Sequence, residues 1–149
     1  PLPLLVADLG EQPAEAILRE IGEPRLRGMF RLAGYIPNSD LPAIYNRASA
    51  FLYTSLRESF GIPQLEAMAC GTPVVTSATS AIPEVAGEGA ILVDPTDPKA
   101  IADALLRLET DAAFRARQVA YGLERVKRFS WEKTARHLLA LYESLGKTN

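Results

Sequence analysis

Two carboxylates, Glu58 and Glu66, stand with seven residues between them around Phe60-Gly61-Ile62-Pro63. Ahead of them Phe51-Leu52-Tyr53 is an apolar run of strand length, and behind them Cys70-Gly71-Thr72-Pro73 leads into Val74-Val75. Gly61 permits a tight turn and a close backbone approach. Pro63 suits the first position of a helix, and Gly71 suits the residue just past its end. Leu65, Met68 and Ala69 fall on one helical face between them. The predicted unit is strand, loop, short helix, strand, a βαβ crossover of a parallel sheet. The first N–H groups of such a helix have no partner within it and carry the positive end of its dipole, so they can bind phosphate. Carboxylates beside an anion site repel phosphate. They make sense there if each accepts hydrogen bonds from sugar hydroxyls on either side of a diphosphate. The chemistry suggested is recognition of a nucleotide-sugar.

The string from Glu58 through Phe60-Gly61-Ile62-Pro63 and Glu66 to Ala67-Met68-Ala69-Cys70-Gly71-Thr72-Pro73-Val74-Val75 resembles the E-x7-E signature of retaining glycosyltransferases of the GT-B fold, family 4 or group 1. The resemblance extends along the chain and implies the C-terminal, donor-binding half of such an enzyme. It implies that Glu66 binds the ribose hydroxyls. It places Glu58 near the transferred sugar, stabilising positive charge at the anomeric carbon. Ser59, Phe60, Gly61 and Ile62 would offer backbone N–H groups to sugar hydroxyls and diphosphate, without a metal. Phe60 itself reads as a packing wedge. Gly34-Tyr35-Ile36-Pro37 is similar to the family's turn at the nucleobase, which makes Gly34, Tyr35 and Ile36 candidate base contacts; the plainer reading is a strand-ending turn with Tyr35 packed nearby. Ser80 to Gly87 is similar to stretches of bacterial mannosyltransferases, which tilts the donor toward GDP-mannose over UDP- or ADP-glucose.

Three departures from the family pattern stand out. Ser59 replaces a common glycine, and an unusual backbone angle is expected there. Ser80-Ala81 replaces a glycine pair at the pocket wall. The chain starts at what resembles the family's second strand, without the preceding loop's Arg and Lys and without the N-terminal acceptor domain. The expectation is therefore a fragment, with weakened donor affinity and no efficient transfer alone. A non-catalytic binding or interaction domain of the same fold is the alternative. A sugar-nucleotide epimerase is disfavoured by the single histidine.

Composition sets the outer bounds. The 149 residues suit one nucleotide-sugar-binding domain over residues 1–149. A net charge of −2 gives no pointer to nucleic acid. One cysteine and one histidine exclude an internal disulfide and argue against a metal cluster, so neither metal nor cofactor is expected. No apolar run approaches the roughly 20 residues of a membrane span, and the start lacks the features of a signal peptide. A cytoplasmic setting follows, with peripheral membrane contact by the parent enzyme left open.

The elements that must position the site follow from periodicity. Expected strands are Leu2 to Ala7, buried and parallel, then Phe30 to Ala33, Ala50 to Tyr53, Val74-Val75 and Ala90 to Val93. Expected helices run from Ala14 to Ile21, from Leu41 to about Ala48 with Ser39 or Asp40 as cap, from Lys99 to Leu108, and from Asp111 to Arg128. The last of these should turn Phe114, Val119, Leu123 and Val126 to the core. A C-terminal helix over 131–145 should bury Ala135, Leu138, Leu139 and Tyr142. His137 on it reads as solvated or packed. About five strands alternating with helices predict an α/β, doubly wound, Rossmann-like parallel sheet with helices on both faces. An unpaired strand edge would invite self-association.

Overall fold

The computed structural model describes residues 3–146, and the chain forms two compact units, Pro1–Leu41 and Pro42–Asn149. The first unit holds strand β1 (Leu4–Ala7), helix α1 (Glu11–Glu20), a 3-10 turn over Pro24–Met29 and strand β2 (Phe30–Gly34). β1 and β2 pair in parallel. Their ends are closed by the Asp8 N–H donating to the Gly34 carbonyl at 2.8 Å, with both residues at positive φ. Ala14 and Leu18 form the buried stripe of α1, whereas Ile17 and Ile21 are exposed. β1 was expected to be buried, but Leu4 and Leu5 are each more than two-fifths exposed. An apolar run fixes which residues can be covered and does not supply the cover. Leu2 of that expected strand lies outside the described residues.

The second unit begins in helix α2 (Leu41–Arg47) and continues through β3 (Phe51–Tyr53), α3 (Ile62–Ala69), β4 (Val74–Ser77), α4 (Ile82–Ala86), β5 (Ile91–Val93), α5 (Pro98–Thr110), α6 (Ala112–Val126) and α7 (Trp131–Gly146). Its sheet has the order β3-β4-β5, all parallel, so β4 is central. Neighbouring residues on a strand point to opposite faces. Val74 and Val75 are both fully buried, so both faces of β4 are covered, as expected. On one face Leu52, Val75 and Val93 meet Ile101, Leu105 and Leu108 of α5 and Phe114 of α6. On the other, α3 packs on β3 and β4.

The local punctuation is that of the sequence. α3 ends in a Schellman motif: Gly71, at φ +73°, donates to the Met68 carbonyl at 2.9 Å, and Thr72 donates to Ala67 at 3.0 Å. Asp97 caps α5 by accepting from the N–H groups of Lys99 and Ala100, and Asp111 caps α6 by accepting from Phe114. Ser130 accepts from the Lys133 N–H at the start of α7. Ser39 instead donates its hydroxyl to the Asp40 carboxylate.

Three further burial expectations fail. Ala69, expected on the apolar face of α3, is exposed, and the buried positions of that helix are Gln64, Ala67 and Met68. Leu123 of α6 is 40% exposed; the inward position one residue away is Gly122, on which a Cβ would come within 3.1 Å of Met68. No residue of α7 is buried, and Leu138, Leu139 and Tyr142 are each at least half exposed. The helical period of α7 is present, but its apolar stripe remains open.

Candidate functional site

The site is built on the C-terminal edge of β3, where ligands of open α/β sheets bind. The sheet ladder stops at the Tyr53–Thr76 pair, yet the backbone beyond Tyr53 still needs partners. Hydroxyls from the end of β4 and the loop after it provide them. Thr76 donates to the Tyr53 carbonyl at 2.8 Å, Ser77 to Ser55 at 2.6 Å, and Ser80 to Glu58 at 2.7 Å. The Glu58 N–H donates back to the Ser80 hydroxyl at 3.2 Å. Thr76 and Ser77 are fully buried. Glu58 is thus held by both of its backbone polar groups.

Ser80 sits at φ +59°, a region that costs a non-glycine residue strain and persists where surrounding bonds enforce it. Its two bonds to Glu58 are such bonds. The unusual angle expected at Ser59 is found here instead. Ser59 has no positive φ.

Gly61 completes the turn. Its φ is +82°, and it forms the N-terminal boundary of α3 without a side-chain cap, so Pro63 falls at the second helical position. A Cβ here would lie 2.8 Å from Gln64 Nε2 and 3.6 Å from the Tyr53 ring. Gln64 is fully buried and donates to the Phe60 carbonyl at 3.4 Å. The backbone therefore passes directly over a packed side chain, which only glycine allows.

Each carboxylate of the motif is held by a tyrosine. Tyr53 donates its hydroxyl to Glu58 Oε1 at 2.5 Å, and Tyr45 of α2 donates to Glu66 Oε2 at 3.3 Å. The rings form one ladder: Tyr45 meets Phe51 edge-on at 5.2 Å, and Phe51 stacks on Tyr53 at 5.8 Å. Burial, then the Glu66 charge and the hydrogen bond to it, pushes the Tyr45 phenol up to about 12. Burial and then the Glu58 hydrogen bond raise Tyr53 well above the ordinary phenol range. Both phenols therefore stay protonated donors at neutral pH. The second oxygen of each carboxylate has no partner among the described residues. That leaves one oriented acceptor on each side of the helix start.

Removing the Tyr53 hydroxyl should free Glu58 to rotate. Tyr53→Phe is expected to destabilise the fold by about 1.5–3 kcal/mol, the scale of one charge-assisted hydrogen bond. Thermal melting of the two proteins reads that difference.

Glu58, Ser59, Phe60, Gly61, Ile62 and Glu66 all gather in the second unit, on the loop after β3 and the first turns of α3. Glu58 is half-buried, whereas Ser59, Phe60, Ile62 and Glu66 are exposed. Gly34, Tyr35 and Ile36 belong to the first unit, at and after the end of β2; Gly34 has φ +61° and Tyr35 is 77% exposed. The plainer reading of Tyr35 as a packed side chain does not hold. Sequence reasoning missed Tyr45, Tyr53 and the hydroxyls of Thr76, Ser77 and Ser80 as supports. The available signal was the polar run Thr76-Ser77-Ala78-Thr79-Ser80 directly after an apolar strand.

Among the described residues no group of three or more His, Cys, Asp or Glu could hold a metal ion, and no helix is long and apolar enough to cross a membrane.

Residues 2–125 match the family model for "Glycosyl transferases group 1". The chain is 42% identical over 118 residues to the O-antigen chain mannosyltransferase B of Escherichia coli, covering 79% of this chain and 31% of that enzyme. It thus spans about a third of that relative's length. In three dimensions it is similar to the sucrose-phosphate synthase of Thermosynechococcus elongatus, with a TM-score of 0.82 at 30% identity over 98% of this chain and 39% of that one. It is also similar to the C-terminal domain of a group 1 family glycosyl transferase from Francisella tularensis, with a TM-score of 0.67 at 26% identity over 79% and 62%. The parallel α/β architecture is that of the C-terminal domain of GT-B enzymes. With residues 2–125 matching that family model, the chain belongs to the group 1 glycosyl transferases.

Proposed function

We propose that this chain is the donor-binding domain of a retaining hexosyltransferase that uses a nucleotide-sugar. The observation that carries this reading is the pair Glu58 and Glu66. Each is fixed through one oxygen by a tyrosine, and the two flank an uncapped helix start. On this reading the free oxygen of Glu66 accepts from the ribose hydroxyls. The N–H groups of residues 59–62 and the α3 dipole take the diphosphate. Glu58 lies beside the hexose and stabilises positive charge developing at its anomeric carbon. The mannosyltransferase name of the Escherichia coli relative supports GDP-mannose ahead of UDP- or ADP-glucose. Transfer, acceptor choice and any acceptor-binding domain belong to the enzyme as a whole.

Calorimetric titration with GDP, UDP and ADP tests the reading. One nucleotide is expected to bind selectively, and Glu66→Ala is expected to remove that binding. No binding of any nucleotide would favour the interaction-domain alternative.

A further inference from the structure

We propose that Arg125 is the positioning residue of the donor loop, acting on residues 58–61 by two routes that converge on its guanidinium. The inference rests on the donor-binding reading of that loop and adds the residues that hold it in shape.

The first route is polar. Arg125 is half-buried on the last turn of α6. Its Nε donates to the Val85 carbonyl at 2.8 Å, and a terminal nitrogen donates to the Glu84 carbonyl. Both acceptors lie at the C-terminal end of α4, where carbonyls lack helical partners and the dipole is negative. The planar fork meets two carbonyls at once, which an ammonium cannot reproduce. α4 is only five residues long. Just before its other end stands Ser80, whose hydroxyl bonds both backbone groups of Glu58. Fixing one end of so short a helix fixes the other.

The second route is aromatic. The Arg125 guanidinium lies 5.2 Å from the centre of the Phe129 ring, within cation–π range. Phe129 in turn meets Phe60 edge-on, with centroids 5.7 Å apart and planes at 90°. Phe60 is 41% exposed, yet its ring is seated on this partner. Thus Glu58 is held through Ser80 and α4, Phe60 is held through Phe129, and both supports end at Arg125.

Two glycines pack closely along the side chain. A Cβ on Gly89 would fall 2.9 Å from Arg125 Cβ, and one on Gly87 would fall 3.1 Å from Arg125 Cζ. The arginine therefore runs through a lane lined by two glycines. No ion pair of Arg125 with a carboxylate occurs among the described residues, so its fork is committed to the two carbonyls.

The test uses amide hydrogen exchange and nucleotide titration together. In Arg125→Ala, exchange across 58–62, read at the Glu58 amide that the Ser80 hydroxyl holds, is expected to speed up about ten-fold or more while β4 keeps its protection. Binding of the preferred nucleoside diphosphate among GDP, UDP and ADP should weaken about ten-fold, because the competent loop shape is less populated. Arg125→Lys should recover only part of each effect. Phe129→Leu keeps the α4 bonds and cuts only the aromatic route; it serves where Arg125→Ala does not fold, and it should loosen the loop in the same residues. Unchanged exchange at 58–62 in the variants that fold would overturn the proposal, as would an equal rise in β4. If the parent protein binds none of the three nucleotides while exchange at 58–62 still rises selectively, the donor reading fails and the role of Arg125 in holding the loop stands.

Discussion

Gly61→Val is expected to bind no nucleoside diphosphate measurably and to melt roughly 5–20 °C below the parent protein, from a loss of a few kcal/mol at this chain length. Two effects add. The residue sits at φ +82°, which costs an L-residue about 1–2 kcal/mol and is hardest for a β-branched one. The new Cβ would also stand 2.8 Å from Gln64 Nε2. Gln64 is fully buried, so shifting its amide displaces packed neighbours, and overpacking of this kind costs about 1–3 kcal/mol. The strained φ is relieved by moving the backbone of residues 60–62, which are the groups proposed to face the diphosphate. Thermal melting and nucleotide titration read the two losses separately. A Gly61→Val protein that kept parental affinity would show that this turn is not part of the binding surface.

Glu66→Ala has the opposite profile: a large loss of binding with little loss of stability. Glu66 is exposed, and the single hydrogen bond that it accepts, from Tyr45, is long at 3.3 Å. Losing it costs the fold about 1 kcal/mol or less. Its free oxygen is proposed to take charge-assisted bonds from ribose hydroxyls, each worth about 1.5–3 kcal/mol. Loss of this contact should weaken the preferred nucleotide about 100-fold. The apolar face of α3 is supplied by Ala67 and Met68, both buried, so alanine at position 66 has no packing role to disturb. Melting within about 2–4 °C of the parent is the expected control.

The part of the molecule legible in the sequence was the part written in glycine, proline and period. Gly61 and Gly71 bracket α3, Pro73 stops it, and Val74-Val75 fills both faces of the central strand. Those signals are local, so a linear reading finds them. Contacts between elements were not legible. In the sequence Tyr45 is one more position of a short helix, and its hydroxyl finds Glu66 twenty-one residues on. Ser80 was noted as a departure from a glycine pair, while its strain and its grip on Glu58 across twenty-two residues emerge only from the fold. The 3-10 turn over Pro24–Met29 was missed because six residues without a buried position carry no period to read. β1 and α7 show the converse limit. Their apolar residues were identified correctly and still lie open, since periodicity says which side is apolar and not what covers it.

The central claim is that Glu66 and the loop before it bind a nucleoside diphosphate. Calorimetric titration of the parent protein and of Glu66→Ala with GDP, UDP and ADP tests it most directly. Selective binding of one nucleotide, weakened about 100-fold in Glu66→Ala with melting within about 2–4 °C of the parent, is the predicted result. Equal affinity in the two proteins, or no binding by either, would contradict it and leave the motif with a structural role only.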